Sequence, residues 1–248
     1  MKKLLALVLI ASASQLATAA IAATAEEDVA HYVAAVNGPL SVRIKAIDEL
    51  AWKGISDPRV FDPIEQRVLA ESANGFAGID SNDIEHDIRA LSFSGQAKYM
   101  GTLSKVAADS RYARTVRTGI SDLPHYQAWN PVISNRATWD PNLSDDDNRL
   151  INMLHSNDFV LKRLAGKRMY FENKDPAVLE AAAAAIKASF HDKHSGDDAD
   201  GLAWMIKGLG SAKQMQYRPL FVQIAAEAPD HEAVSHAQRV LDKYLPNP

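Results

Sequence analysis

The chain has no cysteine among its 248 residues. This absence excludes disulfide bonds, thiol catalysis, cysteine-ligated metals and lipid attachment to an N-terminal cysteine. The fold must therefore be held together by the packing of its core.

Long apolar runs are absent after the N-terminal segment, so the sequence predicts no membrane span in the mature chain. The N-terminus carries two lysines, an apolar run over 4–10 and then small residues, which is the order of a secretory signal peptide. We predict a signal peptide over 1–25, cleaved after Ala25, although the small-x-small rule also allows cleavage after Ala19 or Ala22. The predicted location is the periplasm or the exterior of the cell.

Positive charge is in deficit, with 27 Lys and Arg residues against 31 Asp and Glu residues and a formal net charge of −4. Loss of Lys2 and Lys3 with the signal peptide would lower this charge by two more. An acidic chain lacks the basic footprint of a nucleic-acid-binding protein, and it is not attracted to an anionic membrane surface.

Recognisable catalytic motifs are absent as well. The sequence has no Gly-x-Ser-x-Gly, no glycine-rich phosphate loop and no His-Glu-x-x-His. We therefore predict a non-enzymatic protein that carries no cofactor.

Helical periodicity is what the sequence does contain. Apolar residues recur at helical spacing, for example at Ile84, Ile88 and Leu91, and no stretch alternates convincingly like a strand. Asp57-Pro58 and Asp175-Pro176 are typical of turns that open helices, with Asp as the cap and Pro in the first turn. The spacing leaves open whether the third helix starts at Pro58 and bends at Pro63, or starts at Pro63.

A shift of 118 positions brings the two halves of the chain into register. Asp57-Pro58 then falls on Asp175-Pro176, and Tyr99 falls on Tyr217. This correspondence predicts a duplication, with about twelve antiparallel helices in two tandem six-helix halves. The first half is predicted over 26–120, a long linker over 121–143, and the second half over 144–248. The predicted helices cover 27–37, 41–54, 60–73, 83–94, 99–109 and 112–123, then 144–155, 158–171, 176–190, 200–209, 217–228 and 231–245.

The stretch 50–60, Leu-Ala-Trp-Lys-Gly-Ile-Ser-Asp-Pro-Arg-Val, resembles a HEAT repeat, and 207–245 and 90–123 look like further pairs of this kind. The whole mature chain is similar in layout to exported HEAT-like proteins of Gram-negative bacteria. The resemblance implies an all-α, HEAT-like α-solenoid that binds proteins on a curved surface. It implies no catalytic residue, and the length of the 121–143 linker departs from a regular repeat array.

The linker and a nearby basic stripe are candidate partner-binding surfaces. Tyr126, Trp129 and Trp139 lie in the linker, where exposed aromatic rings could form a binding surface or could instead pack beneath the loop. The basic stripe recurs at helical spacing and could bind an acidic partner or simply face solvent. Its residues are Arg111, Arg114 and Arg117.

The loop over 191–200 is the candidate metal site. His191, His194 and Asp197 are possible ligands of a divalent cation, although a solvated polar loop explains the same composition.

These features of the sequence are compatible with two functions. The first is a periplasmic protein-interaction scaffold with an unidentified protein partner. The alternative is a metal- or small-ligand-binding protein that uses the 191–200 loop or the 121–143 linker.

Overall fold

The structure of the protein, a computed structural model, describes residues 25–77, 81–108 and 111–246. Apart from Ala25, the predicted signal peptide lies outside these residues. Within them every regular element is a helix and no strand occurs, which confirms the predicted all-α class. None of the described helices is both long and apolar enough to span a bilayer.

The chain divides into two compact units, Met1–Asn130 and Pro131–Pro248, which we call unit 1 and unit 2. In unit 1, α2 and α3 both pack against α4, and the buried side chains include Leu50, Ile64, Ile84 and Leu91. The helices of this part are α1 (25–36), α2 (Leu40–Lys53), α3 (Pro58–Ala73), α4 (Ser81–Phe93), a 3-10 turn (Ala97–Tyr99), α5 (Met100–Val106) and α6 (Ala113–Ile133).

Unit 1 also buries a small ion cluster between its helices. The Asp87 carboxylate, 3% exposed, accepts two hydrogen bonds of 3.1 Å from the Arg67 guanidinium. Arg43 Nε lies 3.8 Å from the same carboxylate. The cluster joins α2, α3 and α4 around one buried negative charge.

Unit 2 contains a side-by-side row of helices, in which α8 contacts α10 and α10 contacts α12. In addition, α7 packs against α9, and α11 packs against α12. The elements are a 3-10 turn (Arg136–Thr138), α7 (Asp145–His155), α8 (Phe159–Phe171), α9 (Pro176–Ser189), α10 (Asp197–Ser211), a second 3-10 turn (Met215–Tyr217), α11 (Arg218–Glu227) and α12 (His231–Lys243).

Aspartate caps explain why several of these helices begin where they do. Asp57, Asp158, Asp175 and Asp230 each accept a hydrogen bond from the backbone N–H two residues later. Such a cap satisfies one of the free donors of the first turn. The alternative left open for α3 is thereby resolved: the helix begins at Pro58 and contains Pro63 in its interior.

The segment predicted as a linker is helical over its first half. Helix α6 continues to Ile133 instead of ending near 123, and the connection to α7 occupies only 134–144. Pro124 and Pro131 lie inside this helix, although an interior proline normally breaks one. Distant parts of the chain hold this end of the helix, since Asn130 Nδ2 donates to the carbonyl oxygen of Phe93 at 2.8 Å and to Ser56 Oγ at 2.9 Å.

The internal organisation of the two units repeats at the predicted separation of 118 residues. The 3-10 turn Ala97–Tyr99 recurs as Met215–Tyr217. In both units the tyrosine hydroxyl donates a 2.7 Å hydrogen bond to a carboxylate at equivalent positions, Asp62 and Glu180. These shared details support a duplication, while the arrangement as a HEAT-like solenoid stays a prediction.

Candidate functional site

A cleft of about 320 Å³ opens on unit 2 along the row formed by α8, α10 and α12. We call it the basic–aromatic cleft. Among the described residues that line it, three carry a positive charge and none carries a carboxylate. They are Tyr170, Trp204, Lys207, His236, Arg239, Val240, Lys243 and Tyr244.

Three aromatic rings cluster at one end of the cleft. Tyr170 meets Trp204 edge to face, with ring centroids 6.0 Å apart, and Phe171 lies 6.4 Å from the same indole. Phe171 does not close the core, since 69% of its surface is exposed. The exposed Phe171 ring beside the half-buried Trp204 indole is typical of binding surfaces, because a partner that covers both rings removes apolar surface from water.

Positive charges surround the aromatic rings of the cleft. The ammonium groups of Lys207 and Lys167 lie 4.4 and 5.1 Å from the centroid of the Trp204 ring. At the other end, Lys243 and Lys213 lie 5.1 and 5.5 Å from the Tyr244 ring. Such contacts hold a cation by the electron-rich face of the ring and leave its charge uncompensated.

The cations of the cleft act on two neighbouring titratable groups. Burial lowers the pKa of His236, and the positive charges of Lys207 and Arg239 lower it further against the opposing effect of Glu232. A hydrogen bond with Lys243 lowers the pKa of the Tyr244 hydroxyl, which also bonds Tyr170. Both shifts have the sign expected of a positive local field.

The backbones of α8 and α10, two of the helices that line the cleft, lie in close contact. A Cβ atom on Gly208 would lie 2.6 Å from the carbonyl oxygen of Gly166, and one on Gly166 would lie 2.6 Å from the backbone of Trp204. The two glycines therefore let the helix backbones touch, and this contact sets where α10 presents Trp204 and Lys207.

Two of the three cleft cations belong to unit 2 alone. At the equivalent positions of unit 1, 118 residues earlier, Arg239 is replaced by Ser121, Lys243 by His125 and Val240 by Asp122, whereas Lys207 corresponds to another cation, Arg89. Burial raises the pKa of Asp122, whereas the charges of His125 and Arg89 oppose that rise. The same helices thus support a mixed polar surface in one unit and a basic–aromatic cleft in the other.

The aromatic residues of the predicted linker lie elsewhere. Tyr126 and Trp129 are only 7% and 9% exposed, with ring centroids 5.2 Å apart, and Tyr126 packs on Phe93. Both rings are therefore buried in the core of unit 1, which agrees with the packing alternative and leaves little of their surface for a partner. Trp139 is half-buried, with the guanidinium carbons of Arg136 and Arg149 at 4.1 and 5.3 Å from its ring.

The predicted arginine stripe is divided by the start of α6. Arg114 and Arg117 are exposed on this helix, whereas Arg111 precedes it. Arg111 donates a 2.7 Å hydrogen bond to the carbonyl oxygen of Gly75 and lies 5.5 Å from the Phe76 ring. All three arginines are exposed, but Arg111 also contacts Gly75 and Phe76, whereas Arg114 and Arg117 lie on α6.

The candidate metal ligands each have a different neighbour. His191 is exposed beside Phe190, and His194 Nε2 lies 2.9 Å from the carbonyl oxygen of Ser189. Asp197 accepts a 2.8 Å hydrogen bond from Arg163. The described residues contain no group of three or more His, Asp or Glu side chains placed to hold a metal ion.

Sequence reasoning did not identify the basic–aromatic cleft. Its clearest signal is the spacing of His236, Arg239 and Lys243, which puts an imidazole and two cations on one face of α12. Trp204 and Lys207 repeat that spacing on α10. A comparison of positions 118 residues apart would have shown that the two cations of α12, Arg239 and Lys243, have no cationic equivalent in unit 1.

Comparisons with protein-family models, curated proteins and solved structures found no match to this chain.

Proposed function

We propose that the protein is an exported, non-enzymatic interaction module that holds a protein partner at the basic–aromatic cleft of unit 2. Export rests on the charged, apolar and small-residue order of the N-terminal segment. The single observation that supports partner binding is the cluster of the exposed Phe171 ring with the half-buried Tyr170 and Trp204 rings, beside the cations of the cleft.

Aromatic and arginine side chains are the residues that dominate binding energy at protein interfaces. The cleft offers Trp204 and Tyr170 as anchors, with Arg239 at the opposite wall. Covering the 69% exposed ring of Phe171 would add apolar burial of the kind that stabilises association. A HEAT-like stack of helices would suit this role, since its inner row of helices is the usual binding surface.

Site-specific photocrosslinking in the cells that produce the protein tests this proposal. A benzophenone amino acid replaces Phe171 in one variant and Met215 in a control variant. Met215 is 50% exposed and lies outside the cleft lining, so it samples a comparable accessible position. We expect a discrete adduct of higher mass from position 171 and none from position 215.

A second substitution links the adduct to the cleft. Exchange of Trp204 for Ala should abolish the crosslink from position 171, because the indole is the centre of the aromatic cluster. Circular dichroism verifies that this variant stays folded. Equal adducts from positions 171 and 215, or none from 171, would refute binding at the cleft.

A further inference from the structure

We infer that the basic–aromatic cleft recognises an acidic peptide segment, in which two carboxylate side chains separated by one residue bind the cations of α10 and α12. The inference rests on the proposed function and specifies the chemistry of the partner. Three side chains bring positive charge to the cleft, namely Lys207 on α10 and Arg239 and Lys243 on α12.

These three cations form no ion pair with a carboxylate in the described part of the chain, although such pairs are common elsewhere in it. The chain as a whole has a net charge of −4, so a cleft whose described lining contains three cations and no carboxylate differs from the average surface of the protein. A carboxylate entering the cleft would gain charge-assisted hydrogen bonds without displacing another carboxylate from these cations.

The spacing of the cations favours two separate carboxylates over one compact anion. Arg239 and Lys243 are four residues apart on one helix, which separates them by about 6 Å along its axis. In an extended peptide, side chains two residues apart lie on the same side about 6.6 Å from each other. A Glu-x-Glu segment therefore matches the two α12 cations, while Lys207 faces the same ligand from α10.

The aromatic wall favours a peptide over a free anion. Tyr170 and Trp204 present rings to the cleft, and the side chain between the two carboxylates of the ligand, or its flanking apolar residues, can pack on them. A free phosphate would leave this wall unused. The acidic character of the whole chain opposes a nucleic acid, whose phosphates would be repelled outside the cleft.

Fluorescence titration of the protein over residues 26–248, without the predicted signal peptide, provides the test. The probe is a capped pentapeptide, Ala-Glu-Leu-Glu-Ala, and its matched control has Gln at both Glu positions. We expect the Glu peptide to change Trp204 emission and to bind at least about tenfold more tightly than the Gln peptide, because each charge-assisted contact is roughly twice as strong as a neutral one. The Trp204→Phe variant assigns the emission change to the cleft.

Charge-removing variants locate the site. Lys207→Gln combined with Lys243→Gln should weaken binding of the Glu peptide at least about fivefold. Lys193→Gln is the matched control, because Lys193 is an exposed lysine in the loop before α10 and lies outside the cleft lining. It should leave the affinity unchanged apart from a small effect of net charge.

Two competing ligands complete the experiment. Inorganic phosphate that displaces the Glu peptide at equal concentration, or a short single-stranded oligothymidine that binds more tightly, would overturn the peptide assignment. Equal binding of the Gln peptide would overturn it too. If the Glu peptide fails while the crosslink from position 171 persists, the partner is a protein but not an acidic one. If both fail, the proposed function falls as well.

Discussion

Individual residues of this protein differ sharply between its two similar units. Asp87 is buried between Arg67 and Arg43 in unit 1. The residues 118 positions later are Met205, Ala185 and Leu161, all buried and apolar. The same interior sites therefore accept either an ion cluster or ordinary apolar packing.

The first prediction exploits this difference. Asp87→Ala should lower the free energy of unfolding by about 3 kcal/mol, because it strands Arg67 and Arg43 at a partly buried site. The triple variant Arg43→Leu, Arg67→Ala and Asp87→Met installs the residues of unit 2, and it should recover most of that loss. Urea denaturation followed by circular dichroism measures both values.

Asp48 is the control for this prediction. Its carboxylate is 56% exposed and pairs with His86 at 3.1 Å, so Asp48→Ala should cost less than about 1 kcal/mol. A triple variant no more stable than Asp87→Ala would show that the two sets of residues are not structurally equivalent.

Residue patterns also show how far the sequence alone could reach. The capping aspartate and the proline after it predicted the start of α9, and for α3 they gave Pro58 as one of two possible starts, because these signals act within a few residues. The end of α6 could not be predicted in this way. Its local sequence contains Pro124 and Pro131, which predict a break, whereas the contacts of Asn130 with Phe93 and Ser56 come from distant parts of the chain.

The basic face of α12 has a signal in the sequence, but the meeting of three helices at the cleft could not be predicted, for a related reason. Tyr170, Trp204 and Lys243 belong to three helices, and their convergence depends on how closely those helices pack. Single-helix periodicity gives the face of each helix but not the neighbour that it meets.

At the scale of the helices, the contact between α8 and α10 is the feature that determines the cleft. Gly208→Ala should force the two helices apart and destabilise the protein by about 1–3 kcal/mol, because the new methyl group meets the Gly166 carbonyl oxygen at 2.6 Å. It should also weaken binding at the cleft, since Trp204 lies on the displaced helix. Urea denaturation and the peptide titration measure the two effects.

Gly101→Ala serves as the matched control for this helix-packing prediction. Gly101 lies in α5, and within the described part of the chain no atom comes within 4 Å of the place that a methyl group would occupy there. Alanine at this position should stabilise the protein by about 0.5–1 kcal/mol through its higher helix propensity. Equal destabilisation by both substitutions would rule out a special role for the α8–α10 contact.

At the scale of the whole molecule, the boundary between the units falls inside the last turn of α6. Each side of it is secured to its own unit. Asn130 bonds to Phe93 in unit 1, while Asn152 Nδ2 in unit 2 donates to the carbonyl oxygens of Ile133 and Asn135 at 3.2 and 3.1 Å. The helices that form the cleft all lie in unit 2.

We therefore expect the fragment 131–248 to fold by itself. It should be helical by circular dichroism, unfold in one cooperative transition and bind the Glu peptide as the full chain does. The fragment 190–248 is the control, because it lacks the helices α8 and α9 on which α10 packs, and it should remain unfolded. An unfolded 131–248 fragment would mean that unit 2 depends on unit 1 for its stability.

One residue at the edge of the cleft links conformational strain with charge. Both units turn into their 3-10 segment through a left-handed residue, which is Gly95 with φ 64° in unit 1 and Lys213 with φ 56° in unit 2. A non-glycine residue in this conformation costs about 1 kcal/mol or more. Unit 2 thus tolerates a local instability that glycine would remove, and it retains a cation near Tyr244. Such a compromise between stability and activity is expected where selection acts on binding, and it marks Lys213 as a position that stabilising design should leave unchanged.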